Sequence, residues 1–225
     1  MGETVRFPSN GTEGEGYLAK PASGSGPGVV VIQEWWGLND NIKSIADRLA
    51  AEGYVALAPD LYHGQTTSEP DEAGKLMMAM NMGQAAKDLT GAVDYLAGSD
   101  AATGDKIGCV GFCMGGGLAL YLSSLKPQIG ACVIYYGVLP GSQPDLAAVQ
   151  AALLGHYAEN DNFASPASAR ELESTLKGLG KEVEFHIYAG TDHGFFNDTR
   201  SDVHKADAAK QTWERTLAFY KKHLG

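Results

Sequence analysis

Positive charge is scarce in this sequence. Lys and Arg number 17 against 27 Asp and Glu, a formal net charge of −10 over 225 residues. A surface that acidic argues against nucleic acid or anionic lipid as the main partner. Long hydrophobic runs are missing too, and none approaches the roughly 18 residues that a membrane helix needs. Residues 1–8 hold no apolar stretch and no small-residue cleavage site, so the expectation is a soluble, cytoplasmic chain without a signal peptide. Cysteine is limited to three positions, which suits a reducing compartment better than a disulfide framework. Cys109 and Cys113 lie four apart on what reads as one strand, about 13 Å between Cα atoms at strand spacing and too far to bridge. No close-spaced pair of ligand residues supports a metal site, and no cofactor is implied. Repeats, charge blocks and long linkers are also lacking. The most linker-like stretch, residues 21–27, reads as a loop between strands, so residues 1–225 read as a single domain.

What is present points to an α/β sheet. Residues 4–8 and 15–20 suggest an opening hairpin, and the continuous apolar run 28–32 fits a strand buried on both faces. Ile42, Ile45, Ala46, Leu49 and Ala50 recur at helical spacing, with Asn39 or Asp40 as cap and Gly53 as stop. Further strands are expected at 54–58, 107–112, 129–136, 152–157 and 183–188. Helices are expected around 72–80, 86–96, 115–125 and 169–179, and a closing helix carries Val203, Ala206, Trp213, Leu217 and Tyr220 on one stripe. Strands alternating with helices predict a mostly parallel sheet of about eight strands, covered on both faces.

In such sheets reactive groups gather at the carboxyl ends of the strands. Four of those ends carry Glu34-Trp35-Trp36-Gly37, Cys113-Met114-Gly115-Gly116, Glu159-Asn160-Asp161 and Gly190-Thr191-Asp192-His193-Gly194. Gly111-Phe112-Cys113-Met114-Gly115 has the frame of a nucleophile elbow, with Cys where Ser is usual. Its glycines let the chain turn sharply, the helix N-terminus behind it favours a thiolate, and the Met114 N–H can donate to an oxyanion. His193 is the candidate base toward the thiol and acid toward the leaving group. Its orienting acid is Glu159, Asp161 or Asp192, and Asp161 fits best because adjacent side chains such as Asp192 usually point apart. Histidines 156 and 186 read as structural within strands, and 204 and 223 as structural or solvated on the last helix. His63, in a loop after a strand, is a candidate pocket residue. Glu34 is either a carboxylate satisfied by backbone or a second charge that tunes Cys113. Trp35 offers a second oxyanion N–H, and the Trp35 and Trp36 rings either pack or wall an apolar pocket.

With these residues in hand the chain resembles the dienelactone hydrolase (carboxymethylenebutenolidase) family of α/β-hydrolases, from about residue 4 to the C-terminus. The resemblance is carried by Gln33-Glu34-Trp35-Trp36-Gly37-Leu38-Asn39, Ala58-Pro59-Asp60-Leu61-Tyr62, Gly111-Phe112-Cys113-Met114-Gly115-Gly116 and Asp192-His193-Gly194-Phe195. It implies the α/β-hydrolase fold and metal-free cleavage of esters or lactones. It also implies Cys113 as nucleophile, His193 as base, Asp161 as orienting acid and Glu34 as the carboxylate that holds and activates the resting thiol. The expected partner is a small-molecule ester or lactone, and the expected state a monomer or weak homo-oligomer. Family members that act on dienelactone hold its carboxylate with two arginines. Here residues 62–82 offer only Lys75 as a cation, Asn197 stands four past His193, and Arg200 is near but displaced. Trp36, His63, Lys75, Asn197 and Arg200 are therefore the candidate substrate contacts. Two other readings stand beside the hydrolase: a redox-sensing or binding protein on the same fold, and a thiol-dependent acyltransferase.

Overall fold

The computed structural model describes residues 2–138 and 143–225. The chain opens with a hairpin, β1 (Glu3–Ser9) and β2 (Thr12–Ala19), closed by Asn10-Gly11. Both turn residues have positive φ, 41° and 96°, as a two-residue hairpin turn that matches strand twist requires. The chain continues through β3 (Gly26–Ile32), α1 (Asp40–Ala51), β4 (Val55–Pro59), α2 (Pro70–Ala79), α3 (Met82–Ala97) and β5 (Ala102–Phe112). It ends with α4 (Met114–Leu125), β6 (Ile129–Tyr135), β7 (Ala152–Asn160), α5 (Pro166–Gly178), β8 (Val183–Asp192) and α6 (Ala206–His223). The eight strands form one sheet in the order β1-β2-β4-β3-β5-β6-β7-β8. Among the described residues, only the β1–β2 and β2–β4 pairs are antiparallel.

Val29 to Ile32 are fully buried, which is why their strand shows no polar alternation. Asn39 caps α1 by accepting the Ile42 N–H, and Pro70 at the first helical position starts α2 two residues earlier than expected. Arg48 of α1 reaches across to α6, 4.3 Å from the Trp213 ring centre. The strands β7 and β8 run further than the apolar pattern suggests, to Asn160 and Asp192. The closing helix needs correction. Val203 and His204 lie in the turn before α6, and the buried stripe is Ala209, Thr212, Thr216 and Tyr220. The two threonines escaped a search for apolar spacing because their hydroxyls are satisfied internally: Thr212 bonds the Ala209 carbonyl, and Thr216 bonds Tyr135. Histidine 156 is buried between the hydroxyls of Tyr188 and Thr216, and burial holds its pKa well below the ordinary value. All three cysteines are free. Among the described residues, no helix is long and apolar enough to cross a membrane.

One topological fact positions the site. From β3 the chain moves to one side to form β4, then crosses to the other side of β3 to form β5. The carboxyl ends of β3 and β5 thus flank the point where the winding reverses, where open α/β sheets leave a crevice.

Candidate active site

Cys113 occupies that crevice as the residue between β5 and α4, with φ 54° and ψ −121°. A non-glycine residue there stores strain of about 1–3 kcal/mol and needs a framework to hold it. Main-chain bonds supply one. The Cys113 N–H donates to the Tyr135 carbonyl at 3.0 Å, and its own carbonyl accepts from Gly116 and Val138, each at 2.9 Å. The flanking glycines are steric requirements. A Cβ on Gly111 would sit 1.8 Å from the Gly115 carbonyl oxygen, and one on Gly115 would sit 2.4 Å from the carbonyl oxygens of both Ile32 and Gln33. The elbow therefore packs directly on the end of β3, and Glu34 enters the same cavity as Cys113.

His193 follows β8, and its Nδ1 lies 2.7 Å from Asp161 Oδ2. Asp161 follows β7 on the neighbouring strand, and its other oxygen accepts the N–H groups of Phe163 and Ala164 at 2.8 and 2.9 Å. Burial opposes ionisation of Asp161, but His193 and the two N–H donors outweigh it and hold the carboxyl below its usual range. Burial likewise opposes charge on His193. The Asp161 carboxylate at 2.7 Å and the neighbouring Cys113 sulfur push its pKa up to about 10. Of the three candidate acids, only Asp161 meets the imidazole; Glu159 instead accepts the Gly190 N–H.

Glu34 is 4% exposed. The Tyr136 hydroxyl donates to its Oε1 at 3.3 Å, and Asn197 Nδ2 to its Oε2 at 2.9 Å. Burial raises its pKa despite these donors. Neither of the expected bonds of Glu34 is present: its partners are side chains rather than backbone, and among the described residues no hydrogen bond joins it to Cys113. Both carboxylate oxygens are engaged by these two donors, and Cys113 and His193 line the same cavity.

The cavity has a volume of about 350 Å³. Trp35 and Trp36, edge to face at 4.9 Å, wall one side with Met77 and Val203. Asn160, Asn162, Phe163 and Asp192 lie along the rim nearest the ends of β7 and β8. Met114 begins α4, where its N–H has no intrahelical acceptor. Arg200 lines the cavity, 5.8 Å from the Trp36 ring centre, and is bonded to Asp202. Asn197 faces Glu34. Two expected contacts are absent from the wall. His63 turns to Asp88 of α3, with Nε2 3.4 Å from its carboxylate, and Lys75 pairs with Glu72 on the outward side of α2.

The family model of the dienelactone hydrolase family matches residues 15–224. The chain belongs to that family. This dienelactone hydrolase-family protein is 38% identical over its whole length to the whole of Protein usf from Aquifex pyrophilus. It is 35% identical, again with both chains fully covered, to a protein of Aquifex aeolicus provisionally named carboxymethylenebutenolidase. A crystal structure from Klebsiella pneumoniae, provisionally described as a dienelactone hydrolase, superposes with a TM-score of 0.87 at 27% identity, covering 99% of this chain and 100% of that one. The family's chemistry makes this dienelactone hydrolase-family member an ester hydrolase. Sequence reasoning overlooked Tyr136 and Phe163. Tyr136 follows β6, the strand end left out of the inventory above, and Phe163 stands two residues past Asp161, where a strand pattern says nothing about a turn.

Proposed function

We propose that the enzyme cleaves carboxylic esters or lactones through a thioester on Cys113. His193 Nε2 holds the proton taken from the thiol, so that the sulfur attacks the carbonyl carbon as the thiolate of an ion pair. The resulting oxyanion is received by the N–H groups of Met114 and Trp35. As the carbon–oxygen bond breaks, His193 returns the proton to the departing alkoxide, which leaves as the alcohol, or stays attached when the substrate is a lactone. Water then adds to the thioester, giving up its proton to His193. The carbon–sulfur bond breaks, and the thiol is restored with release of the carboxylic acid. Asp161 keeps the Nδ1 proton in place throughout and stabilises the imidazolium. Glu34 acts here as a positioning carboxylate, joining Tyr136 to Asn197 beneath the elbow.

The observation that carries this reading is the chain of contacts from strained Cys113 to His193 to Asp161, with 2.7 Å between the last two. Its test is Cys113→Ala beside mass spectrometry of wild type mixed with a slowly turned-over ester. The expected results are loss of turnover and an adduct of one acyl group on the peptide containing Cys113. An active Cys113→Ala enzyme overturns the reading. Hydrolysis also separates this proposal from acyl transfer, because added alcohols or amines should not divert the acyl group in proportion to their concentration.

A further inference from the structure

Resting on the thioester reading, the geometry points to Phe163 as the floor of a leaving-group subsite, which makes this enzyme selective for esters of apolar, ring-bearing alcohols. In acylation the proton returns from His193 to the departing oxygen. Nδ1 is committed to Asp161, so that oxygen must lie within hydrogen-bonding reach of Nε2. Whatever the oxygen carries then lies beside the imidazole. Two aromatic rings flank it: Tyr136 with ring centres 5.0 Å apart, and Phe163 at 5.4 Å in an edge arrangement. Tyr136 is fully buried, with its hydroxyl on Glu34, and offers no surface. Phe163 is 77% exposed and lines the cavity mouth. Its backbone is anchored. The Phe163 N–H donates to the same carboxylate that holds His193, so the turn carrying the ring is indexed to the imidazole. Trp35 and Trp36 stand on the β3 side, where the oxyanion would sit, and face the acyl portion.

An isomeric pair of esters isolates the claim. Benzyl acetate carries its ring on the leaving alcohol, and methyl phenylacetate carries it on the acyl group. Stacking on one open ring and expelling the water between them corresponds to about a tenfold gain in kcat/KM. In wild type the ratio of kcat/KM for benzyl acetate over methyl phenylacetate should exceed that of Phe163→Ala about tenfold, and Phe163→Trp should restore it. Because each ratio is taken within one preparation, partial unfolding of a variant cancels. A change of less than fivefold, a rise in Phe163→Ala, or failure of wild type to hydrolyse benzyl acetate overturns the inference. The two readings fail separately: an active Cys113→Ala removes the thioester, whereas an inactive Cys113→Ala with an unmoved ratio removes only the subsite.

Discussion

Replacing Asp161 by Asn tests the catalytic reading most sharply, because the site leaves the amide one orientation. One carboxylate oxygen accepts two backbone N–H groups, from Phe163 and Ala164, and the other accepts His193 Nδ1–H. In Asp161→Asn the amide oxygen stays with the two backbone donors, since turning the NH2 toward them would set it against both N–H groups. The NH2 then faces Nδ1, which must become the acceptor, and the ring proton moves to Nε2. That tautomer cannot take the thiol proton. Loss of a charge-assisted bond to the imidazolium costs about 1.5–3 kcal/mol, or about 10- to 150-fold in rate. The wrong tautomer can extend the loss to about 10⁴. The expected outcome is a fall in kcat/KM of about 10²–10⁴. The assay is steady-state hydrolysis of a neutral ester, with a thermal melt to show a folded enzyme and NMR titration to show the His193 pKa falling from about 10. Activity within tenfold of wild type would refute the argument and return Asp192 or Glu159 as the partner.

Glu34→Gln keeps the shape of a carboxylate whose partners are both hydrogen-bond donors, so its amide meets one of them with a donor; kcat/KM should fall about tenfold with an unchanged Michaelis constant and a melting temperature within a few degrees. Gly115→Ala forces a Cβ to 2.4 Å from two backbone oxygens, and urea titration should show destabilisation of about 3 kcal/mol or more, at the upper end for overpacking against backbone. Stability should depend on pH through the His193–Asp161 pair, measured as wild-type melting temperature against that of His193→Gln. The raised His193 pKa contributes stabilisation that is complete below its ordinary 6.5 and disappears as pH rises through about 10. The lowered Asp161 pKa contributes above its ordinary 3.8 and is lost as pH falls through the folded value. Finally, Arg200 is tied to Asp202 and Lys75 lies off the wall, so neutral esters should be hydrolysed at least as well as dienelactone. A preference for the anionic lactone above about 100-fold would show that a cation serves it after all.

The order of elements was legible because its signals are local. An Asn-Gly pair between short alternating runs makes a hairpin, four buried residues from Val29 make an interior strand, and Asn39 marks a helix start. The roles expected of Cys113, Asp161 and His193 followed from one topological rule about strand ends. They needed only approximate strand ends: the expected strands stop one, four and five residues short of Cys113, Asp161 and His193, and in the structure each group directly follows its strand. His63 and Lys75 were candidates for a different reason: they are functional residue types in an irregular segment. Nothing local says which way a loop after β4 turns, and it turns to the buried Asp88.

What the sequence by itself determined, then, is whatever depends on neighbours along the chain: alternation, caps, turns, the glycine frame of the elbow and membership of a family. Tertiary structure alone decided the pairings between distant residues. Glu34 meets Asn197 across 163 positions and Tyr136 across 102, and those two bonds fix a carboxylate in the cavity it shares with Cys113. The physical reason is that a buried carboxylate takes whichever donors the packing of separate strands brings within 3 Å or so, and that packing has no counterpart in the spacing of residues along the chain.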